Sequence, residues 1–129
     1  MDKSVIKYCK RIPNLVALFK FGSAAKQNQG LESDLDLAFL AKTKFKNIDR
    51  WNLAQEIAIA IQKDIDLVDL ALCSEVLRFQ IISQGEILYC KDDKYLSSFS
   101  DKVYWLYMDL QELRFQQYQD IKQTRSVYG

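Results

Sequence analysis

Asp34-Leu35-Asp36 sits in a run, DLDLAFLA, whose apolar residues recur at alternate positions. If the run is a strand, side chains two apart share one face, about 7 Å apart along the chain. Asp34 and Asp36 then form a pair of carboxylates, and Leu35, Leu37 and Phe39 turn toward a core. Two unpaired carboxylates on a half-buried strand repel one another and resist desolvation unless positive charge comes between them. A divalent cation supplies that charge. Hard oxygen donors with no imidazole or thiolate beside them suit Mg²⁺ or Mn²⁺.

A second acidic run, Asp64-Ile65-Asp66-Leu67-Val68-Asp69, repeats the spacing. Asp64 and Asp66 share a face and Asp69 takes the other. If this strand neighbours the first, either Asp64 or Asp66 can complete a three-carboxylate site for two metal ions. Two metals clamping the attacking and leaving oxygens suit in-line phosphoryl or nucleotidyl displacement. Ten residues separate Gly22-Ser23 from Asp34. The glycine permits a tight turn and close backbone approach. The serine hydroxyl and neighbouring N–H groups could hold a phosphate.

Composition narrows the chemistry. The 129 residues contain no histidine, which excludes imidazole bases, Ser-His-Asp triads and histidine-ligated metals. Cys9, Cys73 and Cys90 are too few for a four-thiolate zinc site and read as reduced, buried thiols. A net charge of +1 shows no basic excess of the kind a general nucleic-acid binder carries, so no direct nucleic-acid binding is expected. No apolar run approaches the roughly 20 residues of a membrane span, and no signal-peptide pattern opens the chain, so a cytoplasmic protein is expected.

Four glycines and one proline leave little punctuation, so regular elements must position these residues. The pattern predicts a helix over Asp2–Ile12, a strand over Leu15–Phe21 and a second strand over Asp34–Ala41. A helix capped by Asp49 follows over about Arg50–Lys63, then a strand over Asp64–Leu72. Ser74 can cap a helix that stops at Gly85, before a short strand over Glu86–Tyr89. Helix is expected from about residue 93 to 122. The expected fold class is thus α/β (α+β): one domain over 1–129, in the order α-β-β-α-β-α-β-α. Its mixed sheet of about four strands should carry helices on one face.

Two further features stand out. Lys42, Lys44 and Lys46 alternate with Thr43 and Phe45 in a basic loop that could face phosphate or a partner, although a solvated loop is the simpler reading. Tyr104, Trp105, Tyr107, Phe115 and Tyr118 cover more than one stripe of the last helix. Some must pack on the sheet, and the rest fit a partner interface.

FGSAAKQNQGLESDLDL, with its GS-x10-DxD pattern, resembles the signature of the nucleotidyltransferase superfamily that includes DNA polymerase beta. The short chain and DIDLVDLAL followed by GEILY resemble more narrowly the minimal nucleotidyltransferases, the MntA-type antitoxins paired with HEPN toxins. The resemblance implies the nucleotidyltransferase fold, ATP as substrate and Mg²⁺, two ions, as cofactor. It implies that Asp34, Asp36 and Asp66 bind metal and carry catalysis, with Asp64 as fallback for the third acid. Gly22 and Ser23 would hold the triphosphate. Many relatives read GSRARG where this chain has Gly22-Ser23-Ala24-Ala25-Lys26-Gln27, so Lys26 replaces part of the arginine charge. The implied function is AMP transfer to a tyrosine of a HEPN ribonuclease toxin, which silences it. The alternatives are an antitoxin that masks its toxin by binding alone, or a nucleotidyltransferase for a small molecule or RNA.

Overall fold

The computed structural model describes residues 2–22 and 34–128, with side chains described to residue 121. Elements follow the expected order: α1 (Asp2–Cys9), β1 (Leu15–Phe21), β2 (Leu35–Ala41), α2 (Asn47–Ile61), β3 (Ile65–Asp69), α3 (Glu75–Gln84), β4 (Glu86–Cys90) and α4 (Asp93–Tyr128). The strands form one mixed sheet in the order β3-β2-β1-β4. β1 pairs antiparallel with β2 and β4, and β2 pairs parallel with β3.

The helices cover both faces of the sheet, which corrects the expectation of one covered face. Leu18, Leu35, Leu37, Phe39 and Leu67 pack with Val5 and Cys9 of α1 and with Leu53 and Ile57 of α2. Val16, Phe19, Ala38 and Leu40 pack on the opposite face with Ile81 of α3 and Leu96 of α4. The cause lies in the central strands. Leu15–Phe19 of β1 and Leu37–Leu40 of β2 are buried at every position, so neither strand leaves a face for water. Each such Leu or Phe contributes about 1.5–3 kcal/mol by leaving water, so one helical layer alone would leave half of that burial unrealised.

Boundary differences have local causes. α2 begins at Asn47, earlier than expected; Lys46 is its N-cap residue without a side-chain cap, and Asp49 lies in the first turn. There its carboxylate still favours the positive end of the helix. Gln62 closes α2 in a left-handed conformation, with φ 58°. Ser74 caps α3 as expected, its Oγ accepting from Leu77 N at 3.2 Å.

Half-buried Arg78 of α3 reaches back across the turn that leaves β3. Its guanidinium donates to the carbonyls of Leu70 (2.8 Å), Ala71 (3.0 Å) and Cys73 (2.8 Å). Arg78→Ala is therefore expected to destabilise the protein by about 1–3 kcal/mol, because Leu70 and Cys73 lose a charged donor where little water can replace it. Urea denaturation checks this, and a change within about 0.5 kcal/mol, the usual size for a surface substitution, would contradict it.

Burial pushes the Cys9 thiol up to about 12 from an ordinary value of 9.0. A raised folded-state pKa contributes stability that is present below the unfolded value and is lost as pH rises through the folded one. Wild-type stability relative to Cys9→Ala should therefore decline from about pH 9 toward 12, measured by denaturant melts across that range. A constant difference would show that the thiol does not resist ionisation.

Candidate active site

Three strand ends meet on the face that carries Ala38, Leu40 and Val68. Phe21, the last residue of β1, is in register with Asp36, and Asp36 is in turn in register with Asp66 of the parallel strand β3. Matched register on one face brings the Asp36 and Asp66 side chains side by side. Leu35 N donates to Asp64 O at 2.9 Å, which ties the start of β2 to the approach of β3. β3 begins at Ile65, so Asp64 precedes the paired strand. Asp69 Oδ1 accepts from Ala71 N at 3.0 Å and organises the turn after β3.

Asp36 is half-buried, whereas Asp34 and Asp66 are exposed. Burial pushes the Asp36 carboxyl above the usual carboxylate range, and the Asp66 and Asp34 charges push it further in the same direction. Of the two acids that sequence spacing left open, Asp66 is the one that acts on Asp36. Among the described residues, no lysine or arginine forms an ion pair with any of these three carboxylates.

Gly22 follows Phe21 with φ +70°, in the left-handed region. A Cβ added there would stand 2.2 Å from Asp36 Oδ2. The absent side chain therefore has a definite role: it leaves room for the Asp36 carboxylate where the chain turns off β1. Ser23 and Lys26, the other two residues expected to hold phosphate, lie outside the described residues.

Among the described residues, no three acidic or thiol side chains converge on one ion position as they stand. The donor set nevertheless fits a hard divalent cation. It consists of like charges on one face, one of them partly desolvated, and among the described residues none is ion-paired. Asp34 and Asp66, being exposed, have room to turn toward Asp36.

Sequence reasoning missed one contributor. Arg50 of α2 donates through Nη1 to Leu67 O at 2.7 Å, one residue beyond Asp66, and so anchors edge strand β3. Nothing in the spacing of a helical arginine signals such a reach. Nor does Arg78, a conceivable phosphate ligand by residue type, face this site; its guanidinium is committed to the carbonyls described above. The lysine loop is elsewhere too. Lys42 pairs with Asp92 at 2.9 Å at the opposite end of the sheet.

The family described as Polymerase beta, Nucleotidyltransferase matches residues 3–94, from α1 through β4 to the start of α4. The chain belongs to the polymerase beta nucleotidyltransferase family. Among curated relatives of this nucleotidyltransferase is the Protein adenylyltransferase MntA of Shewanella oneidensis. It is 39% identical over 116 residues, covering 88% of this chain and 81% of the relative. A crystal structure of a toxin–antitoxin complex with AMP-PNP superposes with a TM-score of 0.83 at 36% identity, covering 93% of this chain and 97% of the matched one. A structure of a tri-AMPylated Shewanella oneidensis HEPN toxin in complex with its MNT antitoxin gives 0.76 at 35% identity, covering 93% and 94%. The family match spans the whole acidic face, and the solved structures extend it along α4. Among the described residues, no helix of this nucleotidyltransferase is long and apolar enough to cross a membrane.

Proposed function

We propose that the protein is the antitoxin of a toxin–antitoxin pair, a single-domain cytoplasmic adenylyltransferase that moves AMP from ATP to a tyrosine of a cognate HEPN toxin. The observation that carries this reading is the Asp34–Asp36–Asp66 face with Gly22 closed against it. The relative named as a protein adenylyltransferase, and the AMPylated toxin found with its antitoxin, support the choice of donor and acceptor.

In this reading Asp34, Asp36 and Asp66 hold two Mg²⁺ ions, and Gly22, Ser23 and Lys26 hold the triphosphate. The ions, when bound, neutralise charge on the α-phosphate and on the departing pyrophosphate. Asp66, at the exposed edge of the site, takes the proton of the incoming phenol. The tyrosine Oη forms a bond to the α-phosphorus as the bond from that phosphorus to the bridging oxygen breaks, and pyrophosphate leaves. Gly22 keeps the backbone close enough to line the phosphate without a side chain in the way. Helix α4 offers the docking surface: Trp105, Met108, Leu113, Phe115 and Tyr118 are each more than half exposed. Apolar exposure on this scale marks a surface that another chain covers.

Intact-mass spectrometry of the cognate toxin, incubated with this protein, ATP and Mg²⁺, tests the reading. One or more AMP increments are expected, with release of pyrophosphate. A stable complex with no mass gain would overturn the transferase and leave an antitoxin that acts by masking.

A further inference from the structure

The even net charge conceals a separation of charge along the sheet. The carboxylates cluster where β1 ends and where β2 and β3 begin. At the other end, about 20 Å away along β1, Lys10, Arg11 and Lys91 line a cavity of about 360 Å³ with Asn14 and Tyr89. A smaller adjoining cavity of about 160 Å³ shares Asn14 and Lys91 and adds Lys42 and Asp92.

We propose that this pocket is a second anion site, which takes the phosphate of a nucleotide. Its charges are unequally satisfied. Arg11 is bound to Glu56, and Lys42 to Asp92 at 2.9 Å. Among the described residues, Lys10 and Lys91 have no carboxylate partner. The Lys10 ammonium lies 5.1 Å from the centre of the Tyr89 ring, which holds it over the pocket wall. Two uncompensated positive charges match a phosphate better than a single carboxylate. The volume lies at the lower end of the range of about 300–1,000 Å³ typical of small-molecule sites, enough for more than the anion alone. Lys44 and Lys46, exposed beyond the end of β2, extend the positive field outward. This assignment is independent of adenylyl transfer, because none of its residues touches the acidic face.

The phosphate can belong to a free nucleotide or to an RNA chain, and two probes separate these sources. AMP and a short oligouridylate are each titrated by calorimetry into the Asp34→Asn/Asp36→Asn protein with chelator present, which silences the other end of the sheet. The Lys10→Gln/Lys91→Gln change is then added to that background. Binding of at least one probe is expected, weakened about tenfold or more by the lysine changes, with an unaltered thermal melt. For the oligonucleotide, the slope of log affinity against log salt should fall by about 1.4, at about 0.7 per lost contact. Equal binding of AMP identifies a free nucleotide as ligand, whereas binding of the oligonucleotide alone identifies an RNA phosphate; both sustain the site. Failure of both probes at low ionic strength would overturn it. So would affinity indifferent to Lys10 and Lys91, or polyglutamate binding as tightly through the same lysines, which would assign the pocket to an acidic protein surface.

Discussion

Asp36→Asn is expected to lower AMP transfer to the toxin by roughly 10²–10³-fold, in line with removal of one electrostatic element from a reaction centre. Asparagine keeps the size of the side chain and deletes the charge next to Asp34 and Asp66. The same substitution should leave the thermal midpoint unchanged or raise it. In the folded protein Asp36 is pushed above the usual carboxylate range by burial and then by its two acidic neighbours. Its ionised form is thus disfavoured by folding, and neutralising it relieves that penalty. Lost activity with retained or increased stability is the signature of a group kept for function. Mass spectrometry of the toxin and a thermal melt of the variant read the two effects separately. Transfer within a few-fold of wild type would remove Asp36 from the reaction.

Gly22→Ala should have the second-largest effect, and it should be seen in both stability and transfer. The added methyl would lie 2.2 Å from Asp36 Oδ2, in a backbone conformation with φ +70° that alanine adopts at a cost. The left-handed conformation alone costs about 1–2 kcal/mol for a residue with a Cβ. Relief of the clash must come from the Asp36 side chain or from the turn after β1, and either shift misplaces the carboxylate. A loss of transfer on the order of 100-fold is expected, as for a displacement of about 1 Å at a reacting centre. Denaturant melts and the AMP-transfer assay decide the matter; a variant that matches wild type in both would show that the turn has slack. Gly22→Ala and Asp36→Asn should be non-additive, because they act on the same contact.

Local chemistry made much of the fold legible. Alternation in DLDLAFLA gave β2, with Asp36 on one face of the strand and Asp34 just before it. The apolar run LVALF gave β1, and Ser74 announced α3. These signals work because a strand's two-residue period and a helix cap depend on near neighbours in the chain. The same local reading misjudged the start of α2, where Asn47 opens the helix without a side-chain cap and Asp49 falls inside it. It also misjudged the layers. Unbroken burial in β1 and β2 was written in the sequence, but a continuous apolar run has no face of its own, and only the packing of α1 and α2 opposite α3 and α4 revealed two.

For the candidate site, residue types and spacing singled out Gly22 and Asp36, which the structure sets against one another; a hard, oxygen-liganded cation between the acids belongs to the proposed function. Identical spacing in Asp64-Ile65-Asp66 could not separate its two acids. The parallel register sets Asp66 beside Asp36, whereas Asp64 precedes β3 as Asp34 precedes β2, which favours Asp66 as the proposed third acid. Arg50's hold on Leu67, Arg78's hold on three carbonyls, and the gathering of Lys10 and Lys91 far from the carboxylates were equally invisible in sequence. Arg50 and Leu67 stand 17 residues apart, and Arg78, only five to eight residues from its carbonyls, meets them because the chain turns back between β3 and α3. Periodicity records which way a side chain points relative to its own element. What it meets there is decided by how the elements pack, because contact is a property of three-dimensional neighbours and a single chain's spacing carries no record of them.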